Sequence, residues 1–169
     1  IALNTARWGP DEVTAICMIA QDVTALRQTQ MKLERKQREL QDTKEYLQSI
    51  LENSPSIILT TDLGFNIVSF NRGAENQTNY SRDEVIGKPV SILFADPAQH
   101  DAIVEELKQH DSIFNREIKL STKDGTHLSV EATISRLLDN TGALIGTVGI
   151  FHDITPRRMM QQQLIRTDR

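Results

Sequence analysis

A single thiol, Cys17, is all the cysteine chemistry this 169-residue chain carries. One cysteine excludes an internal disulfide framework and a cysteine-based zinc site. It also makes a reducing, cytoplasmic setting the default expectation. Long apolar runs are missing: nothing approaches the roughly 18 residues of a membrane span, and no signal-peptide pattern is present. No methionine opens the chain, which begins "IALNTARWGP", so a fragment of a longer protein is expected. Basic excess is absent too; the net charge of −4 argues against nucleic-acid binding. Catalytic patterns are lacking. There is no Gly-rich phosphate loop and no Ser with an obvious His and Asp setting, and the carboxylates scatter over helix surfaces and turns. The chain is expected to be non-enzymatic, with no catalytic residue and no metal cluster.

What is present begins with a repeat. "MIAQDVTALR" (18–27) returns as "GIFHDITPRR" (149–158), at a spacing of 131 residues (153 minus 22). At that offset Asp22 aligns with Asp153, Thr24 with Thr155 and Arg27 with Arg158. The period is close to one small domain plus a linker. Residues 12–21, rich in Val, Ile and Thr, read as a strand, with 1–7 as its hairpin partner. Residues 23–52 hold no Gly or Pro and are dense in helix formers. Val23, Leu26, Leu33, Leu40, Leu47 and Leu51 fall on heptad positions, with Gln30, Gln37 and Lys44 at the intervening a positions. Leu at d with polar a residues suits a parallel two-stranded coiled coil, so a homodimer through this helix is expected.

Pro55 ends that helix. Strands are predicted at 57–62 and 66–71, short helical turns over 72–89, and a helix over 96–111 capped by Asp96 with Pro97 in its first turn. Strands at 112–121, 126–135 and 143–153 follow, joined by "TKDG" and "DNTG" turns. This order is α+β, an antiparallel sheet of five strands with a helical crossover. Alternation predicts Ile58, Val68, Phe70, Ile118, Leu120, Leu128, Val130, Val148 and Ile150 as inward-facing. Ile92, Phe94, Ile103 and Leu107 should cover them.

Four segments, "SPSIILTTDLGFNIVSFNRGAE", "YSRDEVIGKPV", "STKDGTHLSV" and "GTVGIFHDIT", resemble the PAS domain family, sensory modules of bacterial signalling proteins. The resemblance covers 46–155 and implies the PAS fold. It assigns 1–22 to the terminal hairpin of a preceding PAS domain, 23–52 to a coiled-coil linker, 53–155 to the PAS domain and 156–169 to the start of an output helix. It also implies a signal junction at Asp153, Ile154 and Thr155, echoed at Asp22 and Thr24. Locally, Thr155 suits an N-cap and Pro156 the first helical position. "QQQLIRTDR" resembles the run into a histidine kinase dimerisation helix, with a diguanylate cyclase as the alternative output in the same chain.

A ligand pocket is expected to draw on Ile58, Phe70, Asn71, Phe94, Ile103, Leu107, Phe114, Ile118, Leu128, Val130 and Val148, and a small-molecule ligand is one candidate partner. Asn71 is read first as a cap of the crossover and second as a ligand contact. No cofactor is the leading expectation. Haem is an alternative: "QHDAIVEELKQHD" resembles the segment carrying the haem-ligating His of oxygen-sensing PAS domains, which points to His100. The family's Arg six residues later is Glu106 here. Cys17 lies outside the domain, against flavin photochemistry, while non-covalent flavin binding stays open. His110, His127 and His152 read as surface residues.

Overall fold

The computed structural model describes residues 10–167, with side chains from 24 to 161 and at 163. Its elements are α1 (Pro10–Asn53), β1 (Ile57–Thr61), β2 (Ile67–Phe70), α2 (Arg72–Thr78), α3 (Arg82–Val85), a 3-10 turn (Val90–Leu93), α4 (Pro97–Gln109), β3 (Ser112–Ser121), β4 (His127–Leu138), β5 (Leu144–Asp153) and α5 (Thr155–Thr167). The chain divides into two units at Gln48 and Ser49.

The first unit holds most of α1. Residues 12–21, expected as a strand, are helical, and α1 runs unbroken through Asp22 and Thr24. The strand-to-helix junction expected there is therefore absent, while residues 1–7 of the expected hairpin lie outside the described residues. The physical reason is that β preference is contextual and needs a paired neighbour. Among the described residues no strand pairs with 12–21; a helix satisfies the backbone locally, and Pro10 suits its first turn.

The second unit is an antiparallel five-stranded sheet in the order β2-β1-β5-β4-β3. The chain leaves β2 at one edge and crosses by α2, α3, the 3-10 turn and α4 to β3 at the other. The β3-β4-β5 meander then returns to lie against β1. Asp96 caps α4 by accepting from Ala98 N at 2.9 Å, and Pro97 occupies its first turn, as the local pattern predicts. One sheet face carries the core: Ile57, Leu59, Ile67, Phe70, Ile118, Leu120, Val130, Ala132, Ile134 and Phe151. Val85, Leu93, Phe94, Ile103 and Leu107 close it from the helical side.

Strand phase differs from expectation at four positions. Val68 is 57% and Ile150 43% exposed, and Ile58 and Val148 are half-buried. Ile58 pairs with Ile150 on the face away from the core, next to Val148 opposite Thr60. In β1 both phases are apolar, and Ile57 and Leu59 take the core. In β5 the core face is held by Gly149 and Phe151; a Cβ at Gly149 would lie 2.7 Å from the Phe151 ring. A register shift between Thr60 and Thr61 lets both Ile67 and Phe70 point inward despite their odd spacing, leaving Val68 outside.

Candidate functional site

The space under α4 and the start of α5 each combine polar side chains with meeting elements. Under α4 lies a cavity of about 30 Å³. Its walls are Leu59, Thr61 and Phe65 on the β1–β2 side, and Val90 and Phe94 from the 3-10 region. His100, Ile103, Val104 and Leu107 of α4 close it over Ile134, Thr147, Gly149 and Phe151. The hydroxyls of Thr61 and Thr147 bond each other at 2.7 Å. His100 sits edge-on to Phe65 and Phe94, at ring-centre distances of 6.0 and 5.2 Å. Its Nδ1 lies 3.4 Å from Asp101 Oδ1, while Nε2 is buried without a hydrogen-bond partner.

Nε2 is the kind of atom that could ligate iron, yet the space before it is on the scale of one or two waters. That space is smaller than a porphyrin or a flavin ring system. Of the residues expected in a pocket, Phe94, Ile103 and Leu107 line this cavity. Phe70, Ile118 and Val130 are buried in the core elsewhere, and Leu128 packs at its margin. Ile58 and Val148 belong to the opposite sheet face. Phe114 is 68% exposed, because β3 shifts register between Ile113 and Arg116, with Asn115 in the left-handed region. Asn71 is buried and caps α2, accepting from Ala74 N at 2.9 Å. Leu59, Thr61, Phe65, Val90, Val104, Ile134, Thr147, Gly149 and Phe151 line the cavity without having been expected to, and His100, expected only as the alternative haem ligand, joins them. Only the histidine's place on α4 offered a signal in sequence.

At the junction, Asp153 Oδ1 accepts from Thr155 N at 2.8 Å, so the start of α5 is capped by Asp153. The cap expected from Thr155 is not made by that residue. Its hydroxyl instead accepts from Ser129 N of β4 at 3.2 Å. Ile154 N donates to Ser129 O at 2.9 Å, and Arg158 pairs with Glu117 of β3. The first turn of α5 is thus bonded to two strands that are remote in sequence.

Elsewhere, Glu84 closes a capping box with Ser81 at α3 and pairs with Lys123. The Lys123 ammonium, with the Ser81 bonds, holds its carboxyl down to about 2. Along α1, Leu26, Leu33, Leu40, Leu47 and Leu51 are all exposed; the Val23 side chain lies outside the described residues. No helix among the described residues is long and apolar enough to cross a membrane.

A family model described as "PAS fold" matches residues 45–154. The chain is 28% identical over 130 residues to "Signal transduction histidine-protein kinase AtoS" of Escherichia coli (strain K12), covering 77% of this chain and 21% of that protein. It is 25% identical over 125 residues to "Probable diguanylate cyclase DgcE" of the same strain, covering 72% of this chain and 11% of that protein. The chain therefore spans about a fifth or less of these relatives. Among solved structures, a PAS domain of a Colwellia psychrerythraea protein superposes with a TM-score of 0.61 at 24% identity. That match covers 68% of this chain and 98% of that one.

Proposed function

The chain belongs to the PAS family, a signalling-domain family, and from that premise we propose that it is a non-catalytic relay in a cytoplasmic signal-transduction protein. The relay dimerises in parallel through α1 and passes conformational change through Asp153, Ile154 and Thr155 into α5. The output is a histidine kinase, a reading supported by the stretch of identity with AtoS. The observation that carries the proposal is the bonding of α5 into the sheet: Ile154 and Thr155 to Ser129, and Arg158 to Glu117. Strain in β3 or β4 has a direct polar route to the exiting helix, and a shift of about 1 kcal/mol changes a two-state output severalfold.

The small cavity under α4 supports reading the domain as a relay that transmits force between its ends. The test uses the parent protein. Asp153→Ala and Thr155→Val should change autophosphorylation from ATP while the melting temperature stays near wild type. Wild-type activity and signal response in both variants would contradict the relay. A parent that joins two GTP into a cyclic dinucleotide with release of two pyrophosphates, and shows no autophosphorylation, would replace the kinase with the cyclase.

A further inference from the structure

The last turn of α1 ends in a web of side chains from the crossover. Glu52 Oε2 accepts from Arg72 N at 3.0 Å, and Oε1 pairs with Arg82 Nη2 at 2.6 Å. Arg82 also donates from Nε to Phe70 O at 2.8 Å, and its backbone N–H is held by Glu75 at 2.7 Å. Asn71 Nδ2 donates to Leu51 O at 2.9 Å and to Ser56 O at 3.0 Å. Gln77 donates to Pro55 O. Backbone crowds here too: a Cβ at Gly73 would come within 2.5 Å of Ser54 O and Ser56 O. Of the carbonyls at the end of α1, Leu51 O is met by Asn71, the cap of α2.

We propose that Glu52, Arg82 and Asn71 form an input joint through which displacement arriving along α1 enters α2 and α3. This goes beyond the relay described above, which names only the exit at α5. Asn71 is buried and fixed, capping α2 while holding α1. The Glu52–Arg82 pair is different: charge-assisted, short, and partly open to solvent, with side-chain exposures of 29% and 40%. Water and salt weaken such a pair, so it can break and re-form without opening the core. When it holds, the end of α1 is tied to the start of α2 through Arg72 N and to β2 through Phe70 O. When it parts, the charged tie between the helix end and the crossover is lost while Asn71 still holds Leu51 O.

Amide hydrogen exchange on the whole chain tests this. Glu52→Gln and Arg82→Gln should each raise exchange about three- to fivefold both in 50–53 and in 72–78. The double variant should match Arg82→Gln alone, since both changes cut the same link. Far-UV circular dichroism should show all three folded, as neither side chain is in the core. Faster exchange confined to 50–53, unchanged exchange in both segments, or a Glu52→Gln effect that persists in full once Arg82 is gone would each overturn the proposal.

Discussion

Replacing Asn71 with Ala should be the most damaging single polar change in the domain. The side chain is 5% exposed and makes four hydrogen bonds. Its Oδ1 accepts from Ile58 N and Ala74 N, and its Nδ2 donates to Leu51 O and Ser56 O, all at 2.9 to 3.0 Å. Alanine leaves two N–H groups and two carbonyls without it. Each unsatisfied buried group costs about 1–3 kcal/mol, and a lost N-cap about 1. Leu51 and Ile58 lie near enough to the surface for water to help, and the terms overlap. A loss of about 3–4 kcal/mol is expected, which lowers the melting temperature by about 15 °C in a domain of this size. Asn71→Ser, which can still cap, should recover about 1 kcal/mol of that. Urea denaturation of the three proteins gives the comparison. A loss below about 1 kcal/mol for Asn71→Ala would refute the argument that this amide ties β1, α1 and α2 together.

Leu33→Asp with Leu40→Asp should shift the chain from dimer to monomer in sedimentation, because both charges would sit in the seam; an unchanged mass would remove the coiled coil. Glu84 titrates lower when folded than its ordinary 4.5, so its stabilisation is complete above that value and disappears as the pH falls toward about 2. Glu84→Gln should flatten the decline of the urea midpoint across that window, and a slope equal to wild type would show that the pairing with Lys123 adds nothing. Hemin added to wild type and His100→Ala should give the same broad absorption, given the size of the cavity. A sharp Soret band lost only in the variant would show that α4 moves to admit a porphyrin.

The element order was legible from turns and breakers: Pro55, Pro97, "TKDG" and "DNTG" sit where elements begin or end. Strand phase was less so. In "IILTTD" both phases hold apolar residues, and in "GTVGIF" the core side takes Gly149 and Phe151 while the β-branched Val148 and Ile150 face away. Residues 12–21 misled because their Val, Ile and Thr content expresses a preference that only a neighbouring strand can realise. The junction was visible as a repeated Asp-hydrophobic-Thr phrase, but its bonding to Ser129 and Glu117 depends on strand register, which local pattern does not encode. Glu52 and Arg82 are 30 positions apart, and nothing in either neighbourhood marks them as partners.

Thr155→Val tests the central claim, that α5 is a continuation of sheet bonding. Valine keeps the shape and removes the acceptor for Ser129 N. Hydrogen exchange measured peptide by peptide should then rise in two places at once, the first turn of α5 at 155–159 and the start of β4 at 128–130, with the remaining sheet unchanged. Faster exchange in α5 alone, with β4 as protected as in wild type, would contradict it.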